Sequence, residues 1–191
     1  MKTQLEALAQ GVALVLGLAI AVQARAADGV VLIDQAKAMA GGVTPGDTPD
    51  WPVFITRSGS YRLASDLVID KLDHPDVIVV TSDLQARAVS IRNGQIRGMA
   101  GAAVGLLEQD ARVSDMVVSH SGSMGIGIKS GTLRNNTSQF NGGEGFVARG
   151  AVIAIGNQAI SNGTDGLHFF SSTGSLVTGT RRCAMAATAS P

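Results

Sequence analysis

The chain has 191 residues, fifteen basic and fifteen acidic, so no strong net field draws it to nucleic acid or to an anionic membrane. Its 24 glycines lie well above the usual share, and its aromatics are few: five Phe, one Trp and one Tyr. Many short Val/Ile/Leu runs in that background argue for turns and thin strands and against a helical bundle.

Residues 1–26 read as a signal peptide. Lys2 is the lone early basic side chain, partly offset by Glu6, and "GVALVLGLAIAV" (11–22) is apolar, uncharged and short for a bilayer span. "ARA" (24–26) has small residues at the spacing a signal peptidase prefers, which puts cleavage before Ala27. The alternative is an uncleaved anchor, because the uncharged stretch starts at Ala7. Cleavage predicts an exported protein, periplasmic or secreted, with no membrane attachment afterwards.

Residues 27–52 predict an N-terminal cap helix and loop. In "VVLIDQAKAMAGG" (30–42), Asp34 is placed to cap a short helix and Gly41 to end it. Leu32, Ile33, Ala36, Met39 and Ala40 would form its apolar side, and the helix would lie as a lid on one end of a sheet stack. "VTPGDTPDWP" (43–52) is a stiff, extended loop. "VFITRSGSYRLASDLVID" (53–70) reads as two strands around a turn. "VIVV" (77–80) reads as a third strand, apolar on both faces.

From residue 88 the pattern repeats. "AVSIRNGQIRGMAG" (88–101) is strand, Asn93-Gly94 turn, strand. The units that follow open at Gly125, Gly145 and Gly166, with Gly-apolar-x-apolar or a near variant. Strands of three or four residues cannot hold a core alone, but units of about 20 residues can stack, each strand pairing with its equivalent about 4.8 Å along the axis. The Asn-Gly steps in "FNGGEGFV" (140–147) and "SNGTDGLHF" (161–169) are then corners, with glycine permitting positive φ. Asn135, Asn136 and Asn157, and separately Asn141 and Asn162, are placed to form internal or corner amide ladders between coils. The predicted fold is all-β, a right-handed parallel β-helix over 53–180 with a short N-terminal capping helix. An antiparallel sandwich is the rival, although it leaves the phase of the glycines unexplained.

"TPGDTPDWPVFITRSGSYRLASDLVI" (44–69), followed by "VSIRNGQIRG" and "NNTSQFNGGEGF", resembles the exported bacterial right-handed β-helix proteins of the pectate-lyase-like superfold. The likeness runs from about residue 30 to 180. It departs at "TSDLQARA" (81–88), where relatives carry a fuller strand pair, and at "RRCAMAATASP" (181–191), which shows no strand pattern and reads as an unstructured tail. The resemblance implies a superfold that hosts polysaccharide lyases and hydrolases, but a fold assigns no activity.

The residues that would carry such chemistry are sparse. A hydrolase needs two carboxylates across a cleft. Glu108, Asp110, Asp115, Glu144 and Asp165 are available, and Glu144 and Asp165 share one repeat position a coil apart. The plainer reading makes both solvated corner residues. A lyase needs a base and cations, for which His120, His168, Lys129, Arg134 and Arg149 are the choices, but they form no dense basic cluster. His168 and Phe169, with Phe170 beside them, are candidates for stacking on a sugar ring, against the alternative that they fill the coil interior. Cys183 is the only cysteine, so an internal disulfide is excluded and a metal site is not expected. No cofactor motif is present.

The expected function is an exported, non-catalytic β-helix module with a structural or binding role, its partner a polysaccharide or cell-envelope glycan. The alternatives are a polysaccharide lyase or glycosidase using Glu144, Asp165, His120 or Arg149, and a truncated relative without independent function. Self-association through an open C-terminal coil edge is a further expectation.

Overall fold

The computed structural model describes residues 29–69, 76–80, 88–106, 110–170 and 174–183. The expected signal peptide, Glu108, most of the 81–88 stretch and residues 184–191 lie outside the described residues. The chain winds into a right-handed parallel β-helix with three faces. Every strand pairing among the described residues is parallel, which rules out the antiparallel sandwich.

Face one is a six-stranded sheet of β2 (Val53–Phe54), β5 (Ile78–Val80), β7 (Val104–Leu106), β9 (Ile126–Ile128), β12 (Phe146–Ala148) and β15 (Leu167–Phe169). Faces two and three are the halves of an eleven-stranded sheet bent along its length. Face two holds β1 (Val30–Ile33), β3 (Gly59–Leu63), the first halves of β6 (Val89–Arg97) and β8 (Ala111–Ser119), β10 (Gly131–Arg134), β13 (Val152–Ile155) and β16 (Leu176–Thr178). Face three holds β4 (Leu67–Val68), the second halves of β6 and β8, β11 (Thr137–Gln139), β14 (Gln158–Ile160) and β17 (Arg181–Cys183).

The 20- and 21-residue spacing is the register itself: Ile126 pairs with Phe146 and Phe146 with Leu167. Inward positions therefore form columns, with Val104, Ile126 and Phe146 along face one, Ile91, Val113, Leu133 and Ala154 along face two, and Ile96, Val118, Ser138 and Ala159 along face three, all buried. Burying each large side chain contributes roughly 1.5–3 kcal/mol. Volumes compensate within a coil: the one containing Phe146 has alanine at three of its other inward positions, Ala148, Ala154 and Ala159.

The bends have a common conformation. Between faces two and three, Asn93, Asp115, Asn135, Gly156 and Gly179 occupy equivalent positions, with φ of 60, 56, 52, 64 and 60°. Asn and Asp tolerate this left-handed region better than other side-chain-bearing residues. Asn135 is thus a corner residue on the outside, not a rung of the internal ladder. The next position carries that ladder. Asn136 donates from Nδ2 to Asn157 Oδ1 at 3.0 Å and to the Val113 carbonyl at 2.9 Å, and its Oδ1 accepts from the Met116 N–H at 3.1 Å. Between faces three and one, Asn141 Nδ2 donates to Asn162 Oδ1 at 2.9 Å, and Asn141 Oδ1 accepts from Ser121 Oγ at 2.7 Å.

The glycines of the Asn-Gly steps are needed for space rather than for positive φ. A Cβ on Gly142 would strike the Gly122 carbonyl one coil away, and one on Gly163 the Gly142 carbonyl. The left-handed residues at this corner are His120, Phe140 and Ser161.

Three expectations need correction. The segment 27–52 is not only cap and loop, because β1 pairs with β3 and starts the sheet at Val30. The helix α1 (Gln35–Ala40) is capped by Asp34, which accepts from the Lys37 N–H at 2.7 Å, and ended by Gly41 as expected. Its buried residue is Ala38, while Met39 is exposed. The tail does not begin at 181: Arg181–Cys183 is β17, continuing face three against β14.

Two outcomes follow. Asn136→Ala should cost about 2–4 kcal/mol in chemical denaturation, because it strands the buried Val113 carbonyl and Met116 N–H of the preceding coil. Asn135→Gly, at an exposed left-handed position, should stay within about 0.5 kcal/mol. Burial pushes the Tyr61 phenol above its ordinary 10.0, partly opposed by the Arg57 charge. Its hydroxyl donates to the Arg57 carbonyl at 2.7 Å. The unfolded chain then loses this proton first, so the contribution is full below pH 10 and is lost as pH rises through the folded value. Denaturation from pH 9 upward should show this decline in the parent and lose the Tyr61 share of it in Tyr61→Phe.

Candidate functional site

The outward position at the centre of face one is Gly105, Gly127, Val147 and His168 in successive coils. Gly105, Gly127 and Val147 are buried, and only His168 of this column is partly exposed. Met124 lies across Gly127, and a Cβ there would meet its Cε.

The two borders of this column differ in charge. On the border shared with face three, the Gly125 N–H donates to the Glu144 carbonyl and the Gly145 N–H to the Asp165 carbonyl, both at 2.9 Å. These bonds stack Met124, Glu144 and Asp165 in one column. On the border shared with face two, Lys129, Arg149 and Phe170 occupy equivalent positions, fixed by the bonds from Lys129, Arg149 and Phe170 N–H to the Leu106, Ile128 and Ala148 carbonyls.

His168 joins the two borders. Its Nδ1 lies 3.4 Å from Asp165 Oδ2 and 3.7 Å from Glu144 Oε1. The ring stacks on Phe170 with centroids 4.3 Å apart and planes 7° from parallel. The Arg149 guanidinium lies 5.9 Å from the Phe170 centroid, at the outer limit of a cation–π contact. Phe170 is 49% exposed, so part of its ring is open to solvent. The carboxylates keep acceptor sites beyond those directed at the imidazole. The cluster thus offers an exposed aromatic edge with acceptors on one side and donors on the other.

Of the residues singled out from sequence, Glu144, Asp165, His168 and Arg149 come together here. His120 does not. It lies further back on the corner, its ring 5.6 Å from Phe140 and tilted by 36°. Phe169 does not face this cluster either: strand alternation turns it inward against the core, in register with Ala148, as the coil-interior reading of these aromatics has it. Phe170 is the aromatic that faces out. Its place was readable from the frame Gly166, Leu167 in, His168 out, Phe169 in.

A separate cavity of about 720 Å³ lies at the N-terminal end, lined by Val31, Lys37, Val43, Arg57 and Tyr61 among others. Its lining holds two cations, Lys37 and Arg57, and no carboxylate. No group of three or more metal-ligating side chains occurs among the described residues, and no described helix is long and apolar enough to cross a membrane.

The fold and this cluster define a parallel β-helix protein whose first face carries a charged, aromatic-edged cluster of side chains. No protein-family model, no curated protein and no solved structure matches the chain.

The placement of His168 can be checked by its ring resonances. Glu144→Gln and Asp165→Asn should each shift the imidazole signals of His168 and leave those of His120 in place.

Proposed function

We propose that the chain is an exported, glycan-binding β-helix module of the pectate-lyase-like type, acting in the periplasm or outside the cell. Its binding face is the outer side of face one across the last coils, where His168 and Phe170 stand between the acidic and basic borders. The observation that carries this reading is the near-parallel stack of His168 on the exposed Phe170, with both carboxylates directed at the imidazole. A pyranose ring presents C–H groups on its faces and hydroxyls around its rim. The exposed part of the Phe170 ring suits the first, and Glu144, Asp165 and Arg149 suit the second.

A glycosidase is the second reading. Glu144 and Asp165 sit one coil apart, about 4.8 Å by strand spacing, close to the roughly 5–5.5 Å carboxyl separation of retaining enzymes. What favours binding over hydrolysis is that both carboxylates approach the same imidazole nitrogen, an arrangement that orients a ring rather than leaving an acid and a nucleophile on opposite sides of a bond.

A glycan array followed by calorimetry on the best hit separates the two readings. The expected result is saturable binding, weakened about tenfold by Phe170→Ala, in line with roughly 1–1.5 kcal/mol for one aromatic contact, and no release of reducing ends. Product release abolished by Glu144→Gln, with binding retained, would establish the glycosidase instead. Binding indifferent to Phe170→Ala and His168→Ala would remove this face from consideration.

A further inference from the structure

Face two carries a pattern that the site on face one does not use. Its outward positions pair in register as Arg62 with Arg92, Arg92 with Ser114 and Ser114 with Arg134 in one column. In the adjacent column they pair as Ser60 with Ser90, Ser90 with Arg112 and Arg112 with Thr132. Four successive coils therefore each present one guanidinium and one hydroxyl: Arg62 with Ser60, Arg92 with Ser90, Arg112 with Ser114, and Arg134 with Thr132. All four arginines are exposed.

None of the four has a carboxylate partner among the described residues; the described ion pairs belong to His168. Asp66, Asp110 and Asp115 stand at the ends of these strands or at the bend, none within ion-pair distance of an arginine. Arg62 and Arg92 are direct cross-strand neighbours, an arrangement of like charges that weakens a sheet. The chain as a whole is neutral, so this face concentrates positive charge that the composition hides. Three of the charges lie in a line, with Arg112 in the adjacent column. Three coil steps at about 4.8 Å place Arg134 roughly 14 Å along the axis from Arg62.

We infer that face two is a second binding surface, taking a linear acidic polysaccharide laid along the solenoid axis. Each guanidinium would meet a carboxylate or sulfate, and each Ser or Thr a sugar hydroxyl or ring oxygen. Arginine suits this role because its planar fork pairs with either anion through two hydrogen bonds. Single-stranded nucleic acid is the less suited polyanion, because these four coils present no outward aromatic ring on this face for base stacking. The inference is independent of the site on face one, since no residue is shared.

The test uses the full chain with four probes: alginate, dextran sulfate, neutral dextran and a thymidine oligonucleotide, at 20 and 200 mM NaCl. The expected result is binding to alginate, dextran sulfate or both, weakened at the higher salt. The double variant Arg92→Gln/Arg134→Gln should weaken it at least tenfold, with neutral dextran not bound. Which of the two anionic polymers binds tighter identifies the anion. Arg181→Gln removes the same kind of charge from face three and should change affinity less than twofold. The substituted arginines are exposed and unpaired, so thermal unfolding of the variants should match the parent and separates lost binding from lost fold. No binding to either anionic polymer, binding that survives the double variant, or tighter binding to the oligonucleotide than to both would each overturn the proposal.

Discussion

The structure depends on backbone pairing between coils at a fixed register. Once Ile126 pairs with Phe146 and Phe146 with Leu167, every position of a coil is stacked on its equivalents, and each column has one environment along the axis. A column inside must be apolar or fully hydrogen-bonded, since an unsatisfied buried amide costs about 1–3 kcal/mol. A column at a bend must tolerate left-handed backbone. A column where neighbouring coils approach closely must lack a side chain. Asn136 and Asn157 meet the first requirement, Asn93 and Asp115 the second, and Gly142 and Gly163 the third. Stability and sequence pattern are therefore consequences of the same register.

The register also assembles the chemistry. Glu144 and Asp165 are far apart in sequence and adjacent in space because both precede the glycine that opens a coil. Their pairing was legible from sequence for that reason: identical position in a repeat is a spatial statement in a solenoid. The arginine face was not legible in the same way. Arg62 and Arg92 are separated by 30 residues, Arg92 and Ser114 by 22, and Ser114 and Arg134 by 20, so the coil length changes where the pairing is made. The connections absorb the difference, and only the structure shows which residues they bring into line.

Other features escaped the sequence for reasons of parity and polarity. Phe169 and Phe170 are chemically alike, and composition does not separate them; alternation along β15 sends one to the core and the other to the surface. β17 escaped because Arg181–Cys183 has no apolar alternation to mark it. Its central residue, Arg182, occupies the inward position above Ala159, where the aliphatic part of the side chain also approaches Gly166. A long charged side chain can cover apolar surface while its head stays in water. β1 was hidden differently: its four apolar residues stand directly before a helix cap, and the helix signal absorbed them.

The last described coil explains why the cluster on face one is held by polar and stacking contacts. Its inward residues pack less completely than those of earlier coils: Leu167 and Phe169 are only partly buried, and Val177 is 45% exposed. The internal ladder weakens at the same level. Thr180 follows Asn157 in that column, and its buried Oγ1 has no hydrogen-bond partner. A threonine hydroxyl is shorter than a carboxamide and cannot span to the next coil as Asn136 does to Asn157. Packing alone therefore fixes little on this coil. The orientation of His168 comes instead from Asp165 and Glu144 on one side and from the face of Phe170 on the other. A histidine positioned only to fill space would not need two carboxylates; one that must hold a partly exposed ring on a thinly packed coil does.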